Sequence, residues 1–458
     1  MDLYCACSFT FFTNDTISQG ERVMQVAVRS QQMLESTVNG LQASLNQHMP
    51  PGPPRDYLSW GISRDNPDQQ FFLQTIGLLQ LVNLTATLLD DLVDDALWDQ
   101  LTDYTIYMNV YQIYEIVSDN LAIGLGRPAR DAQTQFQRTL LSAFNSAMIE
   151  RLRHNPMPTT QMLEPLRPYT SAVSCFGQSL NREKHLQCAE PYLVERPEVS
   201  LRDLEFGMWP VLVANIESCV ELANLLQDYH TGTLLREGLI NRYWAVTRTL
   251  EARNAPLLEL AAIGAHSILV WPTLGYYTAV LGEILSPNDA YPSLIEDGTL
   301  AEALYTAALL VRLLNDLGTG LLRQTDEQRE QLVDVLWANY LKNSDTLNSI
   351  SLLLLSDVDM PERLTRIHKD LFHGEFNVAL HTVRQIRSVP DAIRVFGENL
   401  AYFSHLYAAQ FARLEELLAI ITTRLQDQTI STLIGRFVFF HEKLYSHRYT
   451  AQAGEYAI

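Results

Sequence analysis

The densest chemistry in the sequence is the run Leu88-Leu89-Asp90-Asp91-Leu92-Val93-Asp94-Asp95, which sets four carboxylates within six positions of an otherwise apolar segment. On a helix, Asp90 and Asp94 share one face a turn apart, with Asp91 and Asp95 on its flank. Like charges at that spacing repel each other, and a bound cation reverses the balance. Hard oxygen ligands suit Mg²⁺ or Mn²⁺ better than zinc. The competing reading is a solvated acidic helix end. Phe71 to Leu89 carries no charged residue, which predicts a buried helix, running from about Gln69 to Trp98, that delivers these carboxylates to a cavity.

A second polar cluster stands at Val311-Arg312-Leu313-Leu314-Asn315-Asp316-Leu317-Gly318-Thr319-Gly320-Leu321-Leu322-Arg323. In a continuous helix Asn315 and Thr319 lie one turn apart, and an amide oxygen with a hydroxyl can complete a metal's oxygen shell. Taken alone, such residues are more often bonded to backbone or a neighbouring side chain.

The elements that must position these groups read as helices. Stretches rich in Leu, Ala, Gln and Glu recur at helical spacing, and no pair of alternating runs joined by a tight glycine turn is found. The fold class is therefore all-α. A first helix is expected over about 21–48, ended by the proline-rich loop 49–54. Others are expected near 102–125, 129–154, 200–228, 235–252, 256–284 and 298–324, the fifth kinked at Pro272. Shorter amphipathic pieces follow, one opening at Asp359-Met360-Pro361-Glu362. The proline-rich stretch 155–200 reads as a lid or an insertion. The whole of 1–458 reads as one helical domain, with 1–55 as an N-terminal helix and loop and 325–440 as a helical extension.

With 33 basic against 53 acidic residues the chain carries −20, which disfavours nucleic acid and anionic membranes as partners. Any anionic ligand needs a local positive site. Five cysteines without zinc-ligand spacing fit a reducing, cytoplasmic setting. Asp2 stands where a signal peptide has a basic segment. Leu260 to Leu281 is uncharged and long enough to cross a bilayer, but its polar and proline residues favour a buried core helix over a membrane span.

Together the two clusters resemble the metal motifs of the class I terpene synthases. The family's Asp-Asp-x-x-Asp is matched by Asp90, Asp91 and Asp94, and its Asn-Asp-x-x-Ser/Thr-x-x-x-Glu by Asn315, Asp316 and Thr319. The Arg-Tyr pair that grips diphosphate in bacterial members is matched by Arg448-Tyr449. The resemblance implies an antiparallel helical bundle around an apolar pocket, with three Mg²⁺ ions, replaceable by Mn²⁺, holding a prenyl diphosphate. Ionisation would give a terpene olefin, or an alcohol by water capture. A C20 substrate is preferred, and one cyclised beforehand by a separate class II cyclase fits the same reading. A monomer or homodimer is expected.

Where the family has its second-motif glutamate this chain has Arg323, expected to supply a fixed positive charge, and Arg312 is the nearest candidate for diphosphate contact. Asn83 and Thr87, on the stripe leading to Asp90, are expected to position a water. Trp271 and Tyr276 are expected to face the carbocation. A chain-elongating prenyl transferase shares the first motif, and a non-enzymatic helical scaffold with an acidic docking face is the reading from another class.

Overall fold

A computed structural model describes residues 88–89, 92–122, 132–163, 208–252, 254–356, 364–373 and 375–446. Every regular element among them is helical. The chain groups into two compact units, Met1–Arg236 and Glu237–Ile458.

The first unit contains α1 (Asp95–Ala122), α2 (Ala132–Leu152), the short α3 (Thr159–Leu163), α4 (Met208–Leu225) and the start of α5 (His230–Glu251). Helix α4 packs on α1, α2 and α3. Between α1 and α4 the buried amide of Asn215 donates to Glu115 at 2.9 Å. A groove of about 440 Å³ is lined by Arg151, Glu217, Val220, Glu221, Asn224 and Leu225, none of them a residue singled out by the sequence.

The expected helix over 69–98 does not run through the acidic stretch. Leu88 and Leu89 are helical and buried, Leu92 and Val93 turn, and α1 begins afresh at Asp95. The Asp94 carbonyl accepts from Leu97 N–H at 2.9 Å, which makes Asp94 the residue that starts the new helix. The physical reason is local: carboxylates repel inside a helix, whereas at a helix start they face unpaired N–H groups and the positive end of the dipole.

In the second unit α6 (Leu257–His266), α7 (Val270–Ala279, prolonged by a π turn over Val280–Leu285) and α8 (Tyr291–Glu296) precede α9 (Thr299–Leu317) and the single turn α10 (Thr319–Leu322). Then follow α11 (Asp326–Lys342), α12 (Ile350–Leu355), α13 (Thr365–His373), α14 (Val389–Leu425) and α15 (Thr429–Leu444). Helix α9 is the axis: it packs against α6, α7, α8, α10, α13, α14 and α15. Among the described helices beyond 325, α13, α14 and α15 pack on this axis. Local sequence sets several boundaries. Thr325 and Gln328 form a reciprocal capping box at α11, and Ser349 and Ser388 cap α12 and α14 by accepting from backbone N–H groups three residues on.

The expected kinked helix 256–284 is two helices, bent by 49° across Ser267–Leu269. Pro272 sits in the first turn of α7, where its missing N–H costs nothing, so the break falls ahead of it. Ser267 closes α6 through its hydroxyl to the Gly264 carbonyl at 2.8 Å, and Arg242 covers the Ser267 carbonyl at 2.6 Å. No single described helix is long and apolar enough to cross a membrane.

Candidate functional site

The end of α9 is where the second unit gathers its charge. Fourteen of the nineteen residues of α9 are buried, so polar groups on it must find partners inside the protein. The helix does not continue to Arg323 as expected. It stops at Gly318, with φ +79° and ψ 156°, and restarts at Thr319. That backbone region is essentially reserved for glycine. A Cβ there would also meet Arg366 Cγ at 3.2 Å and the Tyr445 carbonyl at 3.4 Å.

Because of this break, Asn315 and Thr319 turn to different neighbours. The Asn315 side-chain oxygen accepts from Arg366 Nη2, and its carbonyl accepts from Arg366 Nε at 2.6 Å. Thr319 faces α15: its hydroxyl donates to the Glu442 carbonyl at 2.7 Å and its N–H to the Tyr445 carbonyl at 3.2 Å.

Asp316 is wholly buried. Arg312, one turn earlier, reaches it at 2.8 Å, and Val378 N–H donates to its other oxygen at 2.8 Å. Burial pushes this carboxyl well above the usual carboxylate range, while the Arg312 guanidinium pulls the other way. Arg312 also donates to the Phe376 carbonyl at 2.6 Å and stacks over the Phe376 ring at 5.1 Å. The amide of Asn377 joins two helices, donating to the Asp316 carbonyl at 2.8 Å and to Asp370 at 2.7 Å. Lys369 pairs with Glu375 at 2.6 Å and Asp370 at 3.3 Å, and Arg384 donates to the carbonyls of Glu375 and Asp370.

Arg323 is exposed and pairs with the buried Glu442, whose side chain also accepts from the Tyr407 hydroxyl at 3.0 Å. Burial and the Glu442 charge push that hydroxyl above its ordinary value. The acid beside Thr319 therefore comes from α15 and not from position 323. Trp271 is half-buried among His266 at 5.4 Å and Tyr305 at 6.4 Å, its indole N–H buried without an acceptor. Burial lowers the pKa of His266. Tyr276 is fully buried and meets Tyr277 edge-on at 5.5 Å.

In the first unit Asp94 is exposed at the start of α1. Asn83, Thr87, Asp90, Asp91, Arg448, Tyr449 and the Asp359–Pro361 cap lie outside the described residues. Among the described residues no group of three or more His, Cys, Asp or Glu side chains is arranged to hold a metal. In this structure the Asn315 side-chain oxygen is taken by the Arg366 guanidinium, and the Thr319 hydroxyl is given to the Glu442 carbonyl.

Sequence reasoning found Arg312, Asn315 and Asp316 and missed Arg366, Asp370, Asn377 and Glu442. The signal for Arg366 and Asp370 was present, since both interrupt a strongly amphipathic helix at the same spacing as Arg312 and Asp316. Glu442 stands in the aromatic run Phe437-Val438-Phe439-Phe440-His441-Glu442, where a lone acid needs a partner. Comparison with known proteins finds no matching family model, no similar protein and no similar solved structure.

Proposed function

We propose that the chain is a prenyl-diphosphate lyase of the class I terpene synthase kind, built as a helical bundle and acting on a C20 diphosphate, linear or already cyclised, to give an olefin or alcohol and inorganic diphosphate. The observation that carries this reading is the clasp between Thr319 and α15, through the carbonyls of Glu442 and Tyr445. It joins the second motif to the last helix, which ends at Leu444, four residues before Arg448 in the sequence.

Breaking the carbon–oxygen bond puts negative charge on the leaving diphosphate and positive charge on the hydrocarbon. Arg312 and Arg366, beside the end of α9, suit the first, because cations in a poorly hydrated setting stabilise developing negative charge more than they would in water. The ring faces of Trp271 and Tyr305 suit the second. Mg²⁺, or Mn²⁺ in its place, would neutralise diphosphate charge when bound, and in this reading Asp90, Asp91 and Asp94 would hold it. No nucleic acid or membrane is needed as a partner, and an upstream class II cyclase would supply a pre-cyclised substrate.

The test is incubation of the purified chain with C10, C15 and C20 diphosphates and bicyclic C20 diphosphates, with and without Mg²⁺, followed by gas chromatography of the extract. Metal-dependent hydrocarbon or alcohol is expected from a C20 substrate. No product from any of them removes the reading, and longer diphosphates formed with added isopentenyl diphosphate would replace it with chain elongation.

A further inference from the structure

Arg366 is a buried cation that no carboxylate answers among the described residues. It is 4% exposed, and its polar contacts all go to one neutral residue, Asn315, through Nε and Nη2. Its face lies 4.7 Å from the Tyr445 ring centroid, and Nη1 is buried with no acceptor. The other cations of the cluster are better served: Arg312 has Asp316, Lys369 has Asp370 and Glu375, and Arg384 has two carbonyls. Arg312 Nε and Arg384 Nε are also buried without acceptors. The four cations Arg312, Arg366, Lys369 and Arg384 thus share three carboxylates, Asp316, Asp370 and Glu375. In a chain of net charge −20 that surplus is local and runs against the average. A buried guanidinium without an anion is unfavourable, and a planar fork matches the oxygens of a phosphoryl group.

We infer that Arg366 is an anion latch: its guanidinium leaves the Asn315 side-chain oxygen to bind an oxygen of a diphosphate group, and returns when the anion departs. The identity of the anion rests on the function proposed above; the contact does not. Geometry favours release over a fixed bond. Asn315 is only half-buried, so its side-chain oxygen and the Arg366 fork on it lie toward the open end of the cluster. The exchange also removes the obstacle at Asn315, whose oxygen is freed at the moment the negative charge arrives.

The experiment measures binding of inorganic diphosphate to the full chain by calorimetry in metal-free buffer. Wild type is expected to bind, Arg366→Gln to bind about tenfold more weakly or worse, and Asn315→Ala, which removes the competing acceptor, to bind more tightly. Arg366→Lys keeps the charge and loses the fork; it is expected to fold and to bind more weakly, and it decides the matter if Arg366→Gln fails to fold. Equal binding by wild type and the Arg366 variants, or none by wild type, overturns the latch. Diphosphate binding that depends on Arg366 in a protein that turns over no prenyl diphosphate leaves the latch standing and removes the lyase. Turnover with an unchanged KM in Arg366→Lys does the reverse.

Discussion

The carboxylates at the start of α1 and those at the end of α9 answer the same electrostatic problem in opposite ways. Asp94 and Asp95 are exposed at a helix start, where the positive end of the dipole favours them. Asp316 and Asp370 are buried, and each is met by a cation, an amide or a backbone N–H. An exposed acid can be placed almost anywhere at little cost; a buried one requires named partners, so its surroundings say more about what the site does.

The sharpest way to break that contrast is to remove one partner of a buried pair. Arg312→Met leaves Asp316 buried and unanswered and should cost about 3–5 kcal/mol in urea unfolding. The double variant Arg312→Met, Asp316→Leu should recover most of that loss, since apolar replacement of a whole buried pair is often neutral. A loss no larger in the single variant than in an exposed one would show that the cluster is hydrated.

Acid should separate the buried groups by sign. Burial holds His441 neutral, pushing its pKa from 6.5 down to about 4 while its Nδ1 bonds the Phe437 carbonyl at 2.8 Å. Between those values the unfolded chain binds more protons than the folded one, so stability falls as pH drops from 6.5 toward 4, by about 3 kcal/mol in all. His441→Gln should flatten that slope in melting temperature against pH. Asp316 runs the other way: burial raises its pKa, the folded state binds the extra proton, and its contribution is lost as pH rises.

How much of this was legible follows from what a sequence can carry. The helical class, and most helix cores to within a few residues, came from periodicity. The breaks at Asp94 and Gly318 did not, because each is set by a local conflict (charge repulsion, a close approach by Arg366) that an apolar period passes over; the break at Ser267 was read from Pro272, a few residues too late. Asn315 and Asp316 were conspicuous as polar residues in an apolar helix. Their partners Arg366 and Asn377 lie 51 and 61 residues away, and nothing in spacing links such distant positions.

Glycine offers a finer test within the second unit. Gly318 and Gly298 both have positive φ, +79° and +81°. Gly298, with ψ 2°, is ordinary left-handed backbone with nothing near its Cβ. Alanine at 298 should therefore cost about 1 kcal/mol, whereas alanine at 318, in the glycine-only region and against Arg366, should cost about 2–3 kcal/mol. If the two were equal, Arg366 would not be held against the break.

The smallest effect is expected at the exposed start of α1. Asp94→Ala should lose no more than about 1 kcal/mol, the size of a helix-start contribution, and added salt should shrink the loss further. The same variant also asks whether the acidic run binds a cation, because a ligand that binds only the folded chain must raise its melting temperature. If Asp90, Asp91 and Asp94 hold Mg²⁺, millimolar Mg²⁺ raises the melting temperature of wild type and does so less in Asp94→Ala. Equal shifts would leave these carboxylates as a helix start in water, and the chemistry of the chain would then have to rest on the buried cluster of the second unit.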